Sequence, residues 1–178
     1  MSYPRARHLG DGTSEAVLRP ATLPPELVFA CGGAVHHLAT TASTDGDYGL
    51  LQWDMAAQPS GPDPHVHRGM SQAFFVLHGS VALFAGDHWT DAGPGDFLYV
   101  PPGGIHAFRN TSGSEASMLI VFAPGAPRED YFAELAEIRA AGRNLTNEEW
   151  DEVYARHDQV MVNPARLDGY APPPTVAL

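Results

Sequence analysis

The chain has one cysteine, Cys31, in 178 residues, so no intrachain disulfide can form. Followed by Gly32 and Gly33, Cys31 reads as a small buried residue rather than a reactive thiol. Basic residues are scarce. Ten Lys and Arg stand against twenty-one Asp and Glu, a formal net charge of −11. Nucleic acid and anionic membrane surfaces both need a positive face, so neither is expected as a partner. The acidic balance names no substrate. No apolar run approaches membrane-spanning length, and the stretch from Met1 to Arg7 runs into polar residues without a signal-peptide core. A soluble cytoplasmic protein is the expectation. No Ser-centred elbow, phosphate-binding glycine loop or dinucleotide glycine pattern occurs, nor any internal repeat or second domain.

What is abundant is glycine (18), proline (16) and short apolar segments. Residues 1–25 read as an N-terminal arm, with a short strand around Ala16-Val17-Leu18. From residue 26 to 125, strand candidates recur with turn signals every eight to twelve residues, among them Leu27-Val28-Phe29, Val35 to Ala39, Tyr48 to Met55, Phe74 to Leu77, Ser80 to Ala85, Phe97 to Val100, Ile105 to Arg109 and Ala116 to Phe122. That rhythm predicts an antiparallel sandwich or barrel. The period then changes. Tyr131, Phe132, Leu135 and Ile138 fall at helical spacing, with Pro127 suited to the first turn and Gly142 to the stop. Thr146-Asn147-Glu148-Glu149 is a capping-box pattern that opens a second helix, whose apolar face is Trp150, Val153 and Tyr154. These helices make a C-terminal extension over 126–160, and 161–178 reads as an extended or disordered tail.

Two stretches carry chemistry. In Gly61-Pro62-Asp63-Pro64-His65-Val66-His67, histidines two apart on an extended chain project from one face, about 7 Å apart at Cα. Imidazoles presented together begin a divalent-metal site. In the second, a bend through Pro101-Pro102-Gly103-Gly104 delivers His106 to the start of a strand. A third imidazole would complete three nitrogen ligands and leave positions open, as chemistry at a metal requires and a closed structural zinc site does not.

These stretches resemble the paired motifs of the cupin superfamily, whose fold is a small antiparallel barrel, the double-stranded β-helix or jelly roll. His65, His67 and Gly79 keep the spacing of the first motif, with Pro59 where its leading Gly is expected and Gln72 where its Glu is expected. Gly95, Pro101, Gly103, His106 and Asn110 match every fixed position of the second, and residues 80–94 separate the two. The likeness extends over about residues 35–140 and is nearest to quercetinase-like single-domain cupins. It implies an all-β jelly-roll barrel with a two-helix C-terminal extension. It also implies one divalent transition metal ion (Fe, Mn, Ni, Co, Cu or Zn) on His65, His67, His106 and Gln72. The implied activity is that of a dioxygenase acting on a small phenolic or enolisable compound, such as a quercetin- or polyketide-like molecule. A metal-dependent isomerase or cyclase and a non-catalytic small-molecule binder are the alternatives. Gln72 is also the candidate catalytic position, because a neutral amide replaces a carboxylate that could take a proton. A homodimer with a small-molecule ligand is the expected assembly.

Other residues are weaker candidates. His36 and His37 face opposite ways on a strand, and a hydrogen-bonded structural role suits them. His78 could reach the interior or stand in solvent at the turn. Trp53, Met55, Phe74, Phe97, Tyr99 and Phe108 are expected to line the barrel or pack in its core. His8, His88 and His157 are expected at the surface.

Overall fold

The computed structural model describes residues 3, 5–12, 15–29, 32–163 and 167. Cys31 and most of the expected tail lie outside them. Branched and aromatic residues suit a pleated, half-buried surface, and the Gly, Pro and Asp turns stop each run after a few residues. The strands are β1 (Leu27–Val28), β2 (Ala34–Ala39), β3 (Gly49–Met55), β4 (His65–Val66), β5 (Ser71–His78), β6 (Val81–Ala85), β7 (His88–Ala92), β8 (Phe97–Val100), β9 (His106–Arg109), β10 (Ala116–Ala123) and β11 (Val160–Met161). The helices are α1 (Arg128–Ala140) and α2 (Asn147–Arg156). One sheet runs β1-β2-β3-β10-β5-β8 and the other β11-β4-β9-β6-β7. The result is the mostly β double-sheet jelly roll that the motifs imply, with two C-terminal helices.

The core lies between the sheets. Along β10, Ala116, Met118, Ile120 and Phe122 are buried while the residues between them are less so, the period-two alternation of a sheet with one covered face. Phe74 of the larger sheet meets Phe108 of the smaller with ring centroids 5.8 Å apart. Trp53 stands edge-on to Phe108 at 5.1 Å. Burial of each such ring stabilises the fold by about 2–3 kcal/mol.

The same alternation corrects one expectation. Phe97 and Tyr99 are 63% and 57% exposed and do not line the barrel. The β8–β5 register pairs Phe97 with Phe75 and Tyr99 with Ala73, on the outer face, so Leu98 and Val100 turn inward instead. Ala16 to Leu18 form no strand. Pro127 is the residue before α1 rather than part of its first turn. The capping box forms as expected, with Glu149 N–H donating to Thr146 Oγ1 and Thr146 N–H to Glu149 Oε2.

Candidate metal centre

Antiparallel pairing of β4 with β9 sets His65 directly opposite His106, and their ring centroids are 4.3 Å apart. His67, two residues on, points to the same interior, 5.0 Å from the His65 ring and 5.4 Å from His106. The nitrogens that could bind a metal lie within 4.8 Å of one another. Gln72 reaches in from β5 of the other sheet, its Nε2 3.0 Å from His67 Nε2. The structure therefore brings all four sequence candidates into one cluster. His65, His67 and His106 are 3%, 2% and 1% exposed, so the cluster is buried.

Backbone carbonyls fix the state of each ring. His65 Nδ1 faces Asp63 O at 2.8 Å, His67 Nδ1 faces Asp158 O at 2.5 Å, and His106 Nδ1 faces Gly104 O at 3.0 Å. A carbonyl only accepts, so each ring carries its proton on Nδ1 and keeps a lone pair on Nε2. His67 Nε2 accepts the amide N–H of Gln72. His106 Nε2 is buried with no hydrogen-bond partner. An orphaned buried acceptor is costly, and a metal ion would satisfy it. Three neutral imidazoles with oriented lone pairs suit a divalent transition metal, so the residues fit the group the motifs imply.

Burial holds all three rings below the ordinary imidazole range, because a charged ring loses its hydration. His65 falls well below 6.5, with the nearby His106 as the next cause. His67 falls from 6.5 to about 4, with the Arg128 guanidinium as the next cause. His106 falls too, although its bond to Gly104 O opposes the shift. The unfolded chain takes up these protons near 6.5, whereas the folded one takes them only at lower pH. Stability that is complete above pH 6.5 is therefore lost as the pH falls towards 4. For His67 alone the loss amounts to about 3 kcal/mol. Urea titrations of metal-free protein should show stability dropping between pH 6.5 and 4.5. A flat profile there would contradict the buried neutral rings.

The C-terminal extension supplies part of this centre, which the sequence patterns do not reveal. β11 pairs with β4, Val160 opposite Val66 and Met161 opposite His65. Just before it, Asp158 adopts φ of +52°, a left-handed conformation that Asp tolerates better than most residues. Its carbonyl holds His67, and its carboxylate accepts from the N–H groups of Arg68 and Gly69 at 2.8 to 3.1 Å. Asp158→Ala keeps the backbone carbonyl that holds His67 but removes the carboxylate that ties this turn to Arg68 and Gly69, so metal binding should weaken by up to about 10-fold, the low end of what loss of an outer partner costs. Asp158→Asn, which keeps an acceptor and the left-handed tolerance, should cost less. Calorimetric metal titration separates them, and equal affinity in all three proteins would remove Asp158 from this role.

The remaining candidates sort plainly. His36 Nε2 meets Asp54 Oδ2 at 3.1 Å, away from the cluster. His37 stands beside Phe132 with centroids 6.3 Å apart. His78 and His88 are exposed. His157 is not a free surface residue as expected, because its Nε2 bonds Glu134 at 2.7 Å and its ring lies 5.3 Å from Tyr131. Asn110 is structural: its Nδ2 donates to Ala56 O and Ser114 O, and its Oδ1 accepts from Ser112. Gly103 N–H donates to His67 O at 2.7 Å, tying the second motif to the first. A surface hollow of about 540 Å³ lies on the outer face by Gln52, Asp54, Leu77 and Ser117 and contains none of the three histidines.

Residues 52–122 match the family model described as the Cupin domain. A germin-like protein, subfamily T member 3, of Arabidopsis thaliana is 34% identical over 87 residues, covering 46% of this chain and 38% of that protein. Thus the match spans well under half of the plant relative. Among solved structures, KdgF from a Halomonas species superposes with TM-score 0.56 at 15% identity, covering 65% of this chain and 99% of that one. The polyketide cyclase RemF from Streptomyces resistomycificus gives 0.52 at 22%, covering 64% and 82%. A predicted oxalate decarboxylase from Thermotoga maritima gives 0.53 at 19%, covering 61% and 99%. At these identities the likeness is one of fold.

Proposed function

We propose that this chain, whose residues 52–122 match the Cupin domain model, binds one divalent transition metal and acts as a dioxygenase on a small phenolic or enolisable compound. The observation that carries the reading is the set of three buried imidazoles with Nδ1 pinned to carbonyls and the lone pair of His106 Nε2 unpartnered.

His65, His67 and His106 would hold the metal through Nε2. Gln72 now donates to the lone pair of His67 that a metal would need, so it has to release that bond, and by turning its amide it can offer Oε1. A metal held there supplies Lewis acidity to an enol or phenol oxygen and, for a redox metal, a route for electrons to dioxygen. The protein's own parts in the chemistry are binding, orientation and exclusion of water. Phe74 stands 5.8 Å from the His106 ring and forms one apolar wall. Gln72 orients but takes no proton, unlike a carboxylate at that position. The substrate therefore has to lose its proton before it enters and arrive ionised.

Elemental analysis of untagged protein and oxygen-electrode assays with flavonols and 1,3-diketones test the reading. One metal per chain and substrate-dependent oxygen uptake are expected. Turnover without oxygen uptake would move the assignment to an isomerase or cyclase, and metal without any turnover to a binding protein. Absence of stoichiometric metal would overturn it.

A further inference from the structure

Beside the histidines lies a buried cation that makes no ion pair among the described residues. Arg128, the first residue of α1, is 6% exposed. Its Nη1 donates to His157 O at 2.9 Å and its Nη2 to Gln159 Oε1 at 3.2 Å, both neutral acceptors. Nε has no hydrogen-bond partner. The guanidinium lies 4.2 Å above the Tyr131 ring and 5.6 Å from that of Phe122. Burial lowers its pKa to about 10, so it stays charged at neutral pH.

Phe122 is also the cross-strand partner of Gln72, which puts the cation one side chain away from the amide of the cluster. Its charge is felt at all three imidazoles. Among the described residues, Asp158 is the carboxylate that acts on both Arg128 and His67, and its oxygens are already taken by backbone N–H groups. The donors are three neutral imidazoles and a neutral amide. Two charges from a divalent metal and one from Arg128, against one from Asp158, would leave an excess of two positive charges around a buried cluster. Uncompensated charge at low dielectric is expensive.

We infer that the cluster takes its organic ligand as a small oxygen anion, a carboxylate or enolate, which supplies the negative charge that Gln72 withholds and which the buried Arg128 guanidinium favours. This rests on the metal reading above and narrows its substrate class. The amide at position 72 makes the site dependent on an external anion, where a carboxylate would have neutralised it from within. Arg128 is then a specificity-determining residue acting through its field.

The test uses the full chain loaded with Co(II), whose visible bands report what reaches the metal. Benzoate and its neutral isostere benzamide are titrated in parallel. Benzoate should shift the bands and bind at least about ten-fold more tightly than benzamide, given one charge pair in a poorly solvated site. Gln72→Glu should tighten cobalt binding and weaken benzoate about ten-fold, since it provides the charge internally. Arg128→Met should keep cobalt stoichiometry and weaken benzoate by a similar factor, with benzamide unmoved. If the Arg128 variant does not fold, the Gln72 pair decides alone. Equal affinity for benzoate and benzamide, or benzoate affinity unchanged by Gln72→Glu, overturns the inference while leaving the metal reading in place. Failure of the unaltered protein to take up cobalt overturns both.

Discussion

His106→Ala is expected to leave the protein folded and without metal. His106 contributes the one buried imidazole nitrogen of the cluster that has no hydrogen-bond partner, and its position opposite His65 is set by strand pairing. Alanine leaves two imidazoles and a neutral amide, too few for tight divalent binding. The loss should exceed the roughly 100-fold seen when only an outer partner is removed. The fold should tolerate the change, because His106 gives the backbone a single bond, from Nδ1 to Gly104 O. Metal content after dialysis against a weak chelator measures the effect, with circular dichroism confirming the fold. His36→Ala, which breaks only a contact with Asp54 on the outer face, should keep its metal. Retention of one equivalent by the His106 variant would remove the cluster as the binding site.

The largest effect on stability is expected from Gly61→Ala. Gly61 has φ of +140°, and a Cβ there would lie 1.9 Å from Phe108 O and 2.8 Å from its carbonyl carbon. Those atoms belong to the backbone of β9, the strand that carries His106, so no side chain can swing aside. Strain at a glycine-only conformation and overpacking each cost about 1–3 kcal/mol. A combined loss of about 3–5 kcal/mol would lower the melting temperature by roughly 6–20 °C. Gly86 is the control. Its φ is +78° with nothing within 4 Å of the added carbon, so Gly86→Ala should cost only the conformational part, about 1 kcal/mol. Equal melting temperatures for the two variants would mean that the close approach at Gly61 is absent.

Gly61 also shows why one motif carries so much. Its close approach to β9 brings the Pro62-Asp63-Pro64 bend against the strand bearing His106. Asp63 O then receives the Nδ1 proton of His65. The segment that looks like a turn preceding two ligands is thus also the clamp that joins them to the third.

The amino-acid sequence by itself determined the local parts of this protein. Period-two apolar alternation marked the strands, and turn residues marked their ends. The parity of His65 and His67 put them on one face, and the second motif delivered His106. Thr146 and Glu149 fixed the start of α2. Each of these is a short-range relation that backbone geometry enforces over a few residues. Tertiary structure decided the rest. Phe97 and Tyr99 are as apolar as any wall residue, and only the β8–β5 register turned them outward. Asp158 reaches His67 across 91 positions, through a left-handed residue that leaves no periodic trace. Arg128 reads as one more charge at a helix start until α1 docks and buries it against Phe122, one side chain from Gln72. Contacts of that kind depend on register and docking, which follow from the burial of the whole core and from no single stretch of chain.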